Sequence, residues 1–507
     1  MDRRTLLVSA SAGLAGLGMV RLANAMEPKS YRIPALGINP TQISYFTPSP
    51  FIDRLKASSG QWSAQGVSTP LPLNEAGYPT SMGGAGIVLI MVSLDPVSNG
   101  APKNYELTYD GDATFELQFA QIVSSRRGKI VFRFAGPNMA VGLIYRSIGR
   151  QPPTKITLVR QDHAALFAAG EIFTPEFLQQ VSGFDTLRFM DWLAANGNTL
   201  TDSFRPVSSL TYASGVPLEI VIALANKTGA SPWVTIPHLA TDAFVKDIIA
   251  KLKSGLRPGI VPTLEYSNEV WNLGFPQARY ATEQASQRWG AGTSGQVFYG
   301  YRSGEIAKLA RGSGVRVALG CQTMVPARAA DVWRGVELSG ATNRDFSDWI
   351  IATYVNGTLT QKPGPTDQLM ASNDIAGAID NIVNSADPKA SSVRTMRPIY
   401  AAHGAIAASH GLRLTAYEGN LHLNAVPYYA SELARAVAFF DAIEKDPGSV
   451  AILQANLDAF AAAGGKLACL YNLSSAASGF GNFGLVDKPA WTFIRQHLGQ
   501  QPASARP

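Results

Sequence analysis

Two acidic residues stand where a carboxylate can do chemistry. The run Thr263-Leu264-Glu265-Tyr266-Ser267-Asn268-Glu269-Val270-Trp271-Asn272 is a short apolar segment ending in an Asn-Glu pair, with an aromatic just beyond. A second run, Leu412-Arg413-Leu414-Thr415-Ala416-Tyr417-Glu418-Gly419-Asn420, ends on Glu418. A carboxyl at the tip of a buried strand, beside a neutral amide, suits a general acid. Two glutamates at the ends of separate strands are what cleavage between sugars requires. One protonates the departing oxygen, and the other stabilises the anomeric carbon of an oxocarbenium-like transition state. The acid role falls to Glu269, whose pKa must rise through burial and the charge of Glu418. Glu418 must stay ionised, and a guanidinium such as that of Arg188 would hold it so. Asn268 is expected to hydrogen-bond a sugar 2-hydroxyl. Carboxyl groups about 5–5.5 Å apart would retain anomeric configuration, and about 6.5–9.5 Å apart would invert it.

The elements that must carry these residues alternate in type. Strands are expected at 36–39, 187–190, 233–236, 260–266, 315–321, 349–354, 412–417 and 466–471, with helices between most of them, such as 242–256 and 450–462. Eight such units imply parallel strands covered by helices and closed into a (β/α)₈ TIM barrel. An open doubly wound sheet is disfavoured, because no Gly-rich nucleotide turn follows a strand. Between 66 and 169 the pattern changes to short β-rich runs divided by Asn99-Gly100, Asp110-Gly111 and Arg127-Gly128. That block reads as an antiparallel β-sandwich inserted after the first barrel unit, with barrel segments at 26–65 and 170–500. Helical turns are expected across Phe51 to Trp62. Tyr105, Tyr109 and Phe115 are expected to pack the sandwich rather than to bind a ligand.

In a barrel, working residues sit at the carboxyl ends of the strands. Those positions hold Asn39, Arg188 with Asp191 and Trp192, His238, Asn268 with Glu269, Gln322, Tyr354, Glu418, and Tyr471 with Asn472. On these motifs the chain resembles the clan of (β/α)₈ retaining glycoside hydrolases that includes β-glucanases, β-mannanases and β-xylosidases. The resemblance implies Asn268-Glu269 as the acid/base pair after the fourth strand and Glu418 as the nucleophile after the seventh. It further implies Arg188 and Tyr354 as supports of the nucleophile and His238 as a neighbour of the site. A Trp commonly ends the eighth strand in that clan; here Tyr471-Asn472 stands instead, leaving Trp271 or Trp491 as sugar-stacking alternatives. The resemblance spans about residues 31–64 and 170–500 and excludes the β-rich block. Glu265, on the same strand face as Glu269, is expected to bind an Arg or Lys inside the barrel. Trp192 is a candidate stacking platform and His422 a candidate substrate contact. His403 and His410 read as core or surface residues of a helix, and Phe480 to Gly484 as a loop bordering the cleft.

Composition narrows the rest. A net charge of +6 with dispersed Lys and Arg gives no basic block for nucleic acid. Met1-Asp2-Arg3-Arg4, a mildly apolar stretch and Ala23-Asn24-Ala25 resemble a twin-arginine export signal over 1–25, whose removal would leave +4. The mature chain is then expected to be periplasmic or secreted, with no membrane anchor and a disordered tail at 501–507. The two cysteines, Cys321 and Cys469, read as small buried hydrophobes. No His/Cys spacing suggests a metal site, and no cofactor is expected. The expected partner is a polysaccharide or oligosaccharide, the activity hydrolytic; the alternative is a silent glycan-binding protein on the same barrel.

Overall fold

The computed structural model describes residues 33–95, 101–136, 140–361 and 366–500. The expected export signal, the tail from 501 and the Asn99-Gly100 turn lie outside the described residues. The strands in chain order are β1 (Ala35–Ile38), then β2 (Ser63–Gln65), β3 (Ile87–Ser93), β4 (Lys103–Asp110), β5 (Ala113–Gln118), β6 (Gln121–Arg126), β7 (Lys129–Phe134), β8 (Ala140–Ile148) and β9 (Thr154–Arg160). There follow β10 (Thr186–Arg188), β11 (Ser231–Ile236), β12 (Thr263–Tyr266), β13 (Arg316–Gly320), β14 (Asp348–Ala352), β15 (Arg413–Glu418) and β16 (Gly465–Leu470).

Strand β1 and strands β10 to β16 close a parallel barrel in sequence order, with β16 pairing back onto β1. All eight expected barrel strands are present, and helices separate most of them. The helix boundaries have local causes. Thr241 caps Asp242–Gly255 by accepting from the Phe244 amide, and Gly229 ends Leu218–Thr228 at φ 75°. The long helical region after β12 breaks between Trp289 and Gly295, where Gly290 and Gly292 take φ of 98° and 83°. Trp233, Ala318, Ile350, Tyr417, Leu467 and Cys469 fill the barrel interior. A β-carbon on Gly37 would lie 2.5 Å from the Cys469 sulfur, so β1 approaches β16 only because it carries no side chain there. Both cysteines are free and buried.

The inserted strands form two four-stranded sheets, β2-β3-β8-β5 and β6-β7-β4-β9. Their inner faces bury Val88, Ile90, Leu107, Phe132, Leu143 and Leu158 together with Tyr105, Tyr109 and Phe115. Each fully buried side chain of this size contributes about 1.5–3 kcal/mol. The three aromatics are therefore sandwich core, as their strand positions imply. The stretch Phe51 to Trp62 differs from expectation. Only a short 3₁₀ turn forms at Arg54–Ala57, because Phe51 and Asp53 make bridges to Phe173 and Val159 that draw the backbone into extended form. Strand β9 was not expected from the sequence; its Thr154–Arg160 run alternates only weakly in polarity.

The insertion is fastened to the barrel by an ionic joint built on the buried Arg160. Arg160, at the end of β9, contacts Asp95 at 2.6 Å, Asp162 at 2.5 Å and Glu176 of the helix Pro175–Val181 at 2.7 Å. Arg54 adds a second cation to Asp95 at 2.9 Å. Among the described residues, no helix is long and apolar enough to cross a membrane.

Candidate active site at the carboxyl rim of the barrel

Arg188 organises the barrel mouth. It ends β10, has no solvent exposure, and donates Nε and Nη2 to the two oxygens of Glu265, both at 3.0 Å. Nη1 reaches Glu418 Oε2 at 3.1 Å and Asn39 Oδ1 at 3.2 Å, and Nη2 also donates to Asn268 Oδ1 at 2.7 Å. The side chain lies over the Tyr417 ring, 4.8 Å from its centre. Glu265 further accepts from Trp233 Nε1 at 2.8 Å. The fork geometry explains why an arginine stands here: a lysine could not span two carboxylates and two amides. Glu265, Glu418 and Asp191 nevertheless share this one cation, and Glu269 adds a fourth carboxyl that acts on Glu418.

Two backbone irregularities aim the glutamates. The register of β14 against β15 pairs Ile351 with Ala416 and Ala352 with Glu418, leaving Tyr417 as the extra residue of a bulge. Alternation alone would send neighbours to opposite faces; the bulge lets both Tyr417 and Glu418 serve the mouth. After β12 the chain turns sharply, with Ser267 at φ 57° and Glu269 at φ 42°. Left-handed backbone at two non-glycine residues within three positions costs about 1–3 kcal/mol each, and such strain clusters at functional sites. It is held by the Ser267 amide donating to Ile236 O at 2.8 Å and by Gln277 donating to the Asn268 carbonyl at 2.8 Å. Glu269 thus emerges half-buried, with Oε1 accepting from the Tyr417 hydroxyl at 2.9 Å and Oε2 from Asn272 at 3.2 Å.

Both glutamates line one open cavity of about 720 Å³. Trp271, Tyr354, Tyr417 and His422 share its wall, as do Gln322 and Asn356. Tyr354 lies two residues beyond the end of β14, tilted against His422 at 5.1 Å between ring centres. Phe483, from the loop after β16, stacks on His422 and meets Tyr354 and Tyr471. That loop therefore borders the mouth, as expected from Phe480 to Gly484.

Burial and the neighbouring charge of Glu269 push the Glu418 carboxyl up to about 8, against the pull of Arg188. This corrects the expectation that Arg188 would simply hold Glu418 ionised. The guanidinium is already paired on two edges with Glu265, so Glu418 receives one contact rather than a fork. Burial raises Glu265 as well, and takes Asp191 to about 6. The Asp191 Oδ2 is enclosed without a hydrogen-bond partner. Of these three acids Glu418 lines the cavity, and a perturbed acid in a cleft is a mark of functional sites. Burial lowers the pKa of His422, which the charge of Glu269 opposes.

Other expected site residues sit differently. Asn39 is fully buried and donates to the carbonyls of Tyr417 and Leu470, bracing β15 and β16 rather than facing the cavity. Asn268 is 2 % exposed and spans Arg188 and Asn196, which engages its amide at both ends. Trp192 is buried among Phe51, Phe177 and Phe189, with its indole nitrogen donating to Thr41 O, so no face is open for a sugar. His238 is not brought to the cavity; its ring meets Tyr280 on the helix Pro276–Trp289 behind the strands. A residue just past a strand end can turn either way, and here the chain turns outward. Trp491 packs on Phe184 in the last helix, leaving Trp271 as the tryptophan of the cavity wall. Tyr471 is half-buried, against Tyr354 and with its hydroxyl toward Asp191. His403 is core, bonded to Trp349 and the Thr323 carbonyl, and His410 stacks on Trp333. Tyr417, which lines the cavity and donates its hydroxyl to Glu269, is the side chain of the mouth that the sequence reading did not single out.

No protein-family model matches the chain, and no curated protein does. Among solved structures it is similar to a fungal β-1,4-galactanase, 12 % identical with TM-score 0.36 over 64 % of this chain and 89 % of the other. It is also similar to the carbohydrate-binding and catalytic modules of a Clostridium thermocellum endo-1,4-β-D-xylanase, 11 % identical with TM-score 0.37 over 92 % and 98 %. An endo-β-1,4-mannanase from Thermotoga petrophila matches at 11 % identity and TM-score 0.33, over 65 % and 73 %.

Proposed function

We propose that this chain hydrolyses O-glycosidic bonds of a carbohydrate substrate by double displacement, with Glu418 as nucleophile and Glu269 as acid/base. The single observation that carries this is the pair itself: two glutamates, from the turn after β12 and the end of β15, on one cavity, Glu418 held by the buried Arg188 guanidinium and Glu269 by the Tyr417 hydroxyl. In the first step the Glu418 carboxylate attacks the anomeric carbon. The bond to the leaving oxygen breaks with its electrons, and that oxygen takes the Glu269 proton. In the second step Glu269, now a carboxylate, removes a proton from water, which attacks the same carbon and releases Glu418.

The excess of carboxyl groups over the one guanidinium favours the positive charge that develops on the sugar ring. An aryl- and oligoglycoside panel tests the assignment. Wild type should turn over at least one sugar, and Glu418→Gln should lower kcat by about 10³-fold or more. Glu269→Gln should lose less on dinitrophenyl than on alkyl leaving groups, since a good leaving group needs little protonation. Proton NMR of the first-formed anomer reads the stereochemistry. No turnover on any glycoside, with glycan affinity surviving both substitutions, would favour a binding protein instead.

A further inference from the structure

One side of the cavity continues onto the surface. His422, on the loop after β15, lines the cavity, and the Phe483 ring stacks on it with 5.7 Å between centres. Phe483 in turn lies directly against Gly481, where a β-carbon would collide with the ring. Gly481 closes a tight turn with Ser478. The Ser478 amide donates to the Gly481 carbonyl at 3.0 Å, and the Gly481 amide to the Ser478 carbonyl at 3.2 Å. Phe480 sits in that turn and is 76 % exposed. From cavity wall to exposed ring the contacts are unbroken.

The turn is held from several directions. The Phe480 amide donates to Ser478 Oγ at 3.2 Å. The Gly479 carbonyl accepts from the amides of Ala425 and Val426, both at 2.8 Å, which ties this loop to the one after β15. Lys488 donates to the backbone and side-chain oxygens of buried Asn482 at 2.8 and 3.0 Å. Backbone fixed in this way loses little further entropy when a ligand meets the ring it carries. Phe480 also has apolar company. Leu433, 37 % exposed, stands 2.9 Å from where a β-carbon on Gly479 would be, and Tyr428 of the facing loop is 39 % exposed. Single exposed apolar side chains are ordinary on a protein surface, whereas a group of them held rigidly beside a polar cavity marks a binding surface.

Resting on the proposed hydrolase, the occupant is the substrate's own chain. A cavity of about 720 Å³ encloses a ligand of drug size, so sugar units farther along a chain lie outside it. A pyranose presents C–H groups on its faces and hydroxyls around its edge. A flat aromatic ring covers the first and leaves the second in water. We propose that Phe480 is a platform for a sugar unit beyond the cavity, with Tyr428 and Leu433 beside it. The substrate is then an oligo- or polysaccharide chain rather than a small glycoside.

The test is the dependence of kcat/KM on chain length, from the disaccharide to the hexasaccharide of whichever sugar the enzyme accepts. It should rise by about five-fold or more along the series. Phe480→Ala and Phe480→Leu should flatten that rise while leaving the disaccharide within about two-fold of wild type. Phe480→Tyr keeps a flat ring and should preserve the rise. Phe119→Ala removes an equally exposed ring from the inserted sandwich and should leave the series as it is. The substituted side chains are exposed, so the variants should fold, and a thermal melt verifies this. Turnover of small glycosides alone, a flat series in wild type, or a rise that survives Phe480→Ala or Phe480→Leu overturns the platform while the hydrolase stands. Absence of turnover on every glycoside removes both.

Discussion

Two buried arginines, Arg160 and Arg188, each gather three or more polar partners, yet the acids around them respond in opposite ways. Around Arg160 the carboxyls of Asp95, Asp162 and Glu176 are all held below their usual range, by its hydrogen bonds and charge and, at Asp95, by Arg54. Around Arg188 the carboxyls of Glu265 and Glu418 are raised, because burial outweighs a guanidinium divided among too many acids. The first cluster borders a cavity of only about 80 Å³ and joins the sandwich to the barrel. The second opens on about 720 Å³. Ion pairing by itself says little about role. Charge left uncompensated beside open space separates a site from a joint.

Removing each cation is the strongest way to break that comparison. Arg188→Met strands the fully buried Glu265 carboxylate, and loss of one partner of a buried pair costs about 3–5 kcal/mol. The variant should melt well below wild type and lose turnover as well. Arg160→Met leaves partly exposed acids that water can rescue, so about 1–2 kcal/mol is expected. Its pH–rate profile should keep the shape of the wild type. Thermal melts and kinetics on both variants measure this; an unchanged melting temperature for Arg188→Met would remove the distinction.

The opposite shifts also predict opposite pH limbs of stability. Glu418 binds its proton more tightly folded than unfolded, so its contribution is complete below about 4.5 and is lost as pH rises toward about 8. Asp95, Asp162 and Glu176 contribute above their unfolded values of about 4, and that contribution drains as pH falls through their lower folded values. Glu418→Gln should therefore flatten the alkaline decline in melting temperature between about pH 5 and 8 and leave the acid decline alone. Asp95→Asn should do the reverse. The smallest effect expected is from Tyr417→Phe. It removes one hydrogen bond to Glu269, worth about 1 kcal/mol, and should cost about five- to ten-fold in kcat with little change in melting temperature.

Much of this was open to reading in the chain. Eight apolar runs divided by helical spacing fix a barrel, and the ends of those runs name Arg188, Glu269, Glu418 and Tyr354. Glu265 followed from alternation along β12, and its pairing with Arg188 agrees. Trp192 and His238 went astray for one reason: both lie just past a strand end, where periodicity no longer says which way a side chain turns. Tyr417 stayed hidden because alternation assigned it to the face opposite Glu418.

Periodicity and residue type by themselves determined the number of barrel strands, their order and the acids at their tips, because those depend on local burial patterns. Only the folded barrel decided how charge is shared at its mouth. One guanidinium sits among several carboxyls drawn from β12, β15 and the segment after β10, and how far it can stabilise each depends on distances across the mouth that no linear spacing encodes. The bulge at Tyr417 and the left-handed turn at Glu269 belong to the same class, since both arise from neighbouring strands and loops holding the backbone where its own sequence would not go.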